Sequence, residues 1–235
     1  MNTNLVELVF ILDRSGSMGG LEDDTIGGFN SMLARQQEEP GECRLTTVLF
    51  DNYCEVLHDR LDIRAVKPIT PNEYYVRGST ALLDAIGKTI NKIVNVQKIT
   101  TDEYRAEKVL FVITTDGLEN ASREFTYQKI KTMVERQKSK YNWEFLFLGA
   151  NIDAVEVAGR FGVAGNRAQN YHNDVAGVVL NYAVVSEIAS EFREAPCGAG
   201  IRDDWAAEIQ ADYDIRGGNQ GNQHKNAVVF ADTAM

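Results

Sequence analysis

Residues 5–12, LVELVFIL, are almost wholly apolar and rich in β-formers, the pattern of a strand covered on both faces. Two further runs share that character, VLFVI at 109–113 and FLFL at 145–148. Between them the apolar positions fall into helical register. Leu82, Ile86, Ile90 and Ile93 recur at spacings of four, four and three, and Ile130, Met133 and Val134 do the same within YQKIKTMVERQKSK. Strands alternating with helices predict a mostly parallel sheet. The segment RLTTVLFDNYCEVLHD departs from this rhythm, because its two β-patterned runs are separated only by Asp51 and Asn52. That is too short for a crossover helix and reads as a hairpin, with residues 53–58 antiparallel at an edge. A stripe of Val178, Tyr182, Val185, Ala189 and Phe192 predicts the longest helix, 173–195, stopped by Pro196. The expected fold class is α/β: a doubly wound, Rossmann-like mixed sheet, mostly parallel, with helices on both faces and one antiparallel edge strand.

Beyond residue 195 the texture changes. Residues 196–235 hold one short helical pattern around Trp205 to Gln210 and then a Gly, Asn and Gln-rich stretch. The expected organisation is a domain over 1–195 and a C-terminal extension or partly disordered tail over 196–235, docked if at all through Trp205 or the VVF at 228–230. With 235 residues and 44% hydrophobic content the chain can bury the core of one large domain. It contains no uninterrupted apolar run of membrane-spanning length and no basic segment ahead of its first apolar stretch, so neither a span nor a secretion signal is expected, and the cytoplasm is the default compartment. A formal net charge of -10 disfavours nucleic acid and anionic membrane as partners. Cys43, Cys54 and Cys197 lack CxxC spacing and are expected as reduced, small buried side chains; a placement of Cys43 and Cys54 on neighbouring strands, where they could oxidise in vitro, is left open.

In a doubly wound sheet the loops leaving the carboxyl ends of neighbouring strands converge. Asp13, Ser15 and Ser17 follow the first strand in FILDRSGSMGG, Asp116 follows the second in VITTDGLEN, and Thr80 precedes a helix in RGSTALLDAI. Two carboxylates and three hydroxyls form an all-oxygen set suited to a hard cation, magnesium or manganese, and unlike a zinc or copper site. A plainer alternative is a set of turn and cap residues, with Thr80 capping a helix that begins at Ala81. Around this cluster, Arg14, Gly16, Ser79, Gly117 and Glu119 are candidates for the rim or for support of the ligands. Arg14 is expected to face solvent, and Gly16, Gly19, Gly78 and Gly117 to serve the backbone. Asp84 and Glu119 either orient ligands or a second cation, or are helix-start carboxylates; Glu22, Asp23 and Asp24 suit the positive end of a helix. His58, His172 and His224 match no ligand spacing, and Tyr171 and Asn173 are rim candidates.

D-x-S-x-S alone is a weak signal, but its place at a strand end, followed in order by G-S-T-A-L and a strand-end T-D-G, is specific. Over residues 5 to about 195 the chain resembles the von Willebrand factor type A (VWA) family, whose metal-ion-dependent adhesion site (MIDAS) consists of D-x-S-x-S, a separate threonine and a later aspartate. All five positions match as Asp13, Ser15, Ser17, Thr80 and Asp116. The D-R-S-G-S-M texture is closest to small intracellular bacterial members; Ser79 stands where the family often has the second glycine of G-G-T. The resemblance implies that Ser15 and Ser17 bind the metal directly, Asp13 and Asp116 directly or through waters, and Thr80 on ligand engagement. It further implies a metal, magnesium with manganese or calcium possible, whose open position takes a Glu or Asp carboxylate of a protein partner. The family's C-terminal helix can shift with the state of the site, which here would couple it to residues 196–235. The expected function is therefore a non-enzymatic, metal-dependent protein-binding module for adhesion or assembly. The alternative is a magnesium-dependent phosphohydrolase using a strand-end aspartate, for which a second acid two residues on is wanted and Ser15 is found.

Overall fold

The computed structural model describes residues 2–218; His224 and the VVF at 228–230 lie outside them. Six strands form one sheet in the order β3-β2-β1-β4-β5-β6. These are β1 (Asn2–Asp13), β2 (Glu42–Phe50), β3 (Cys54–Asp62), β4 (Ala106–Asp116), β5 (Glu144–Ala150) and β6 (Ala168–Asn170). All neighbours run parallel except the β2–β3 hairpin, so the mixed sheet with one antiparallel edge is as expected. The helices are α1 (Glu22–Glu38), α2 (Leu82–Ile99), α3 (Tyr127–Tyr141), α4 (Ala154–Arg160), α5 (Val175–Glu194) and α6 (Ala207–Ile215). Strand β6, with the sequence AQN, carries no apolar pattern and escapes prediction.

Burial on both faces explains the almost wholly apolar run of β1. Val6, Leu8, Phe10 and Leu12 join one core with side chains of α1, α5 and α6. Val9 and Ile11 join the other, against α2, α3 and α4, as the two-residue period of a strand requires. The intervening Glu7 is fully buried and is held by the Arg60 guanidinium at 2.7 Å.

Among the described residues, α5 alone is long and apolar enough to cross a membrane by length and composition, and most of it is buried inside the domain. Its end is fixed by more than Pro196. The Lys108 ammonium donates to the carbonyls of Phe192, Arg193 and Ala195 at 2.6–2.8 Å, satisfying acceptors that the last helical turn leaves open. Beyond it, Ile201, Trp205, Ala206 and Ile209 are buried in the same core as α5, and the Trp205 indole N–H donates to the Asn166 carbonyl at 2.8 Å. Residues 196–218 thus pack with the domain, with α6 starting two residues later than the helical pattern suggests.

Cys43 and Cys54 do lie on neighbouring strands, but the register pairs Arg44 with Asp62 and Phe50 with Cys54. They sit at opposite ends of the hairpin, too far apart for a disulfide; all three cysteines are free, but only Cys43 is buried as expected, Cys54 being half-buried and Cys197 exposed.

Candidate metal centre

Strand β1 lies where the chain order reverses, with β2 on one side and β4 on the other, which is where loops at the carboxyl ends open a crevice. Leu12 pairs with Thr114 across β1–β4, so Asp13 and Asp116 end adjacent strands side by side. The third contributor, the segment before α2, is stitched to the first loop through the backbone: Arg77 N–H donates to the Arg14 carbonyl at 2.9 Å and Gly16 N–H to that of Gly78 at 3.1 Å. Gly78 adopts φ +69°, and a Cβ there would lie 2.0 Å from Asn52 Oδ1; this position needs glycine both for conformation and for space. The same Asn52 oxygen accepts from Ser79 N–H at 2.8 Å.

All five predicted ligands come together. Ser15 Oγ is the hub, 3.0 Å from Ser17 Oγ and 3.1 Å from Thr80 Oγ1. Ser17 Oγ donates to the Asp116 backbone carbonyl, and Asp13 Oδ1 accepts from Ser15 N–H at 2.7 Å. Asp13, Ser15, Thr80 and Asp116 are buried, while Ser17 opens to solvent. Burial pushes the Asp13 carboxyl above the usual range, and hydrogen bonds from Ser15, Thr115 and the Asp116 amide oppose that rise. Each hydroxyl keeps lone-pair capacity beyond these mutual contacts. Among the described residues no three His, Cys, Asp or Glu side chains cluster to hold a metal, so any cation bound here meets mostly neutral hydroxyl oxygens.

Sequence reading missed part of the support. Thr115 Oγ1 donates to Asp13 Oδ2 at 2.7 Å, and Tyr74 Oη donates to the Asp13 carbonyl at 2.6 Å. The Asp116 carboxylate accepts amide N–H groups from Asn151 on one oxygen and Asn173 on the other. Asn173, a rim candidate, is thus a direct partner of the site, whereas Tyr171 is buried in the core beneath. Asn151 was findable: it follows β5 in FLFLGAN, at the carboxyl end of a third central strand.

One expectation needs correction, and two readings left open are decided. Arg14 does not face solvent: its side chain is 0% exposed, with Nε 2.9 Å from Asp51 and Nη2 2.7 Å from Glu55. Arg77 meets the same Asp51 oxygen at 2.7 Å, and both guanidinium groups lie about 5 Å from the Tyr75 ring centre. Asp51 is itself buried, and a buried carboxylate demands a cation. Thr80 does not cap α2, whose first helical residue is Leu82 rather than Ala81 and whose N-cap has no side-chain cap. The first N–H groups are instead satisfied from the β4–α3 loop, with Leu83 N–H donating to Glu119 at 2.9 Å and Asp84 N–H to Ser122 Oγ at 2.9 Å. Glu119 also accepts from Ala121 and Ser122 N–H, so of the two roles left open it has the supporting one. Asp84 accepts from the N–H groups of Arg123, Glu124 and Phe125. These two carboxylates are staples that hold the Asp116 loop against α2. Gly16 and Gly117 line the loops; Gly117, at φ +135°, turns the chain out of β4.

The strand order, the loops and the site invite comparison with solved structures. The von Willebrand factor domain of the type V pili tip protein Mfa5 from Porphyromonas gingivalis superposes with a TM-score of 0.59 at 11% identity, over 86% of this chain and 99% of that one. The fold is that of a VWA domain. Proximal thread matrix protein 1 of the mussel byssus gives 0.54 at 11% identity over 79% of this chain, and a von Willebrand factor type A protein from Catenulispora acidiphila gives 0.52 at 14% over the same share. The chain spans only 46% and 42% of the lengths of those two proteins. One form of the mussel protein, at TM-score 0.51 and 10% identity over 79% of this chain, is described with a zinc-occupied MIDAS motif. No family model and no curated protein sequence matches the chain.

Proposed function

We propose that this chain is a divalent-cation-dependent protein-binding module. Ser15, Ser17 and Thr80 would hold the cation through hydroxyls, with Asp13 and Asp116 acting directly or through waters, and a carboxylate from a partner's Glu or Asp would complete the shell. The observation that carries the reading is the meeting of three hydroxyls within 3.1 Å, brought from two separate segments, beside two strand-end carboxylates. An all-oxygen set of this kind suits magnesium, with manganese or calcium as substitutes; the zinc described for the mussel protein's motif adds zinc to the metals worth titrating. When bound, the cation supplies an electrophilic position that neutral hydroxyls leave only partly compensated.

The surroundings support binding rather than catalysis. Both Asp13 carboxylate oxygens are engaged by donors and the side chain is 1% exposed, the state of a group that orients others rather than of an attacking nucleophile. The loops around the site also expose Tyr53 and Tyr75, side chains of the kind that anchor protein interfaces.

The test is magnesium titration by calorimetry on wild type, Asp13→Ala and Ser17→Ala, with circular dichroism to verify folding. Binding is expected to be lost or greatly weakened in both variants; wild-type magnesium affinity in folded Asp13→Ala sinks the assignment. Proteins captured from the native cell by wild type, but lost both with a chelator and with Ser17→Ala, are the partners the reading requires.

A further inference from the structure

On the outer face of α5 apolar side chains stand open to solvent. Val175 is 55% exposed and Val179 51%, and Ala183, one helical turn further on, is exposed as well. Beside this stripe a groove of about 320 Å³ runs between α1 and α5, lined by Val179, Ala183, Gly27 and Ser31. The two helices run in the same direction, since Gly28 lies close to the Tyr182 ring while Gln36, two turns later, donates to the Ser186 carbonyl and the Ser190 hydroxyl. Asp23 and Asp24 therefore flank the end of the groove where both helices begin, and Arg35 flanks its far end. Among the described residues none of these three side chains has a hydrogen-bond or ion-pair partner. An exposed apolar strip rimmed by charge is the mark of a surface that binds a partner.

The described chain ends next to this groove. Arg216 Nη1 donates to the Asp174 carboxylate at 2.6 Å, and Asp174 caps α5 immediately before Val175. Ile215, at the end of α6, is 85% exposed. Residues 219–235 follow, and they contain the apolar run AVVF at 227–230, with Lys225 ahead of it and Asp232 behind. Entering from the start of α5, this segment meets Asp24 first and Arg35 last, so its charges come in the complementary order. Nine residues from Gly218 to Ala227 reach up to about 30 Å. The seven steps from Lys225 to Asp232 span about 10 Å as a helix and about 23 Å extended, which brackets the roughly 16 Å that α1 rises between Asp24 and Arg35.

We propose that the α1–α5 groove is the docking site for residues 225–232 of the same chain, with the apolar run against Val175 and Val179, Lys225 toward Asp24 and Asp232 toward Arg35. This does not depend on the function assigned to the metal centre.

The test is amide hydrogen exchange by NMR on the full chain. The amides of 228–230 are expected to exchange at least about tenfold more slowly than those of the Phe230→Asp chain, independently of protein concentration, and the Val175 and Val179 methyl signals to differ between the two chains. Val179→Asp and Asp24→Lys are each expected to remove most of that protection, and Lys225→Glu to restore it in the Asp24→Lys chain; circular dichroism verifies that each variant is folded. Equal exchange in wild type and Phe230→Asp overturns the proposal. So does protection that persists in folded Val179→Asp or Asp24→Lys, or protection that grows with protein concentration, which assigns the groove to a second copy.

Discussion

Removing Asp51 strikes the molecule outside the five proposed metal ligands. The Arg14 guanidinium is wholly buried, its partner Asp51 is 1% exposed, and its second partner Glu55 is half exposed. In Asp51→Ala the charge of Arg14 stays inside with only a surface carboxylate to balance it. Breaking a buried pair from one side costs about 3–5 kcal/mol, whereas the Arg77 contact, from a half-exposed side chain, adds at most about 1 kcal/mol. For a domain of this size the loss corresponds to a fall in Tm of roughly 6–20 °C. Replacing both members, Arg14→Met with Asp51→Leu, removes the charge along with its partner and is expected to recover most of the stability. The Asp51 carboxyl is held below the usual carboxylate range: burial alone raises it, but the bonds from Arg77, the Tyr53 N–H and Arg14 outweigh that. Its contribution is therefore present above the unfolded value of about 3.9 and lost as pH falls through the lower folded value. Because the Asp51 carbonyl also accepts from Ala81 N–H at 2.9 Å, next to Thr80, magnesium affinity is expected to fall in parallel. Urea unfolding of the wild type, Arg14→Met, Asp51→Leu and the double variant closes the cycle, with Asp51→Ala measured beside it. A loss below about 1 kcal/mol in Asp51→Ala, or strict additivity of the two single changes, refutes the reasoning.

Two other consequences are open to measurement. Trp205→Ala should cost about 3–5 kcal/mol in chemical unfolding, since the indole is buried with α5 and its N–H is bonded to Asn166; a change within about 0.5 kcal/mol means residues 196–218 contribute nothing to the core. His58 lies against Phe29 and Thr47 Oγ1, and burial holds its imidazole below the usual value, against a smaller upward pull from Glu73. The unfolded chain therefore binds more protons between that folded value and about pH 6.5. Stability should decline on acidification through this window, by at most about 1.4 kcal/mol per pH unit, and His58→Gln should flatten the decline; an unchanged slope assigns it to other groups.

The parts of this protein legible in the sequence are those governed by local partition between core and solvent. The apolar runs of β1, β4 and β5 announce strands covered on both faces, the stripes in α2, α3 and α5 announce helices, and two residues between β-runs leave room for nothing but a hairpin. The five oxygen-bearing positions were legible for a related reason: strand ends at a switch point of the sheet are where loops must converge. Tertiary structure decided the pairings. Arg14 reads as a surface charge until Asp51, thirty-seven residues away, is found buried beside it. Glu119 and Asp84 read either as ligand supports or as helix-start carboxylates until backbone amides of α2 and of the β4–α3 loop claim them, and the alternative of Thr80 as a cap falls because Glu119 and Ser122 take that task. Strand β6, with almost no apolar content, exists because β5 offers it an edge. The docking of residues 196–218 likewise depends on the groove beside α5 that receives Trp205. A residue's polarity reports the average environment it prefers, whereas a hydrogen bond or ion pair depends on which particular group the folded chain brings within about 3 Å, and that is a property of the whole molecule.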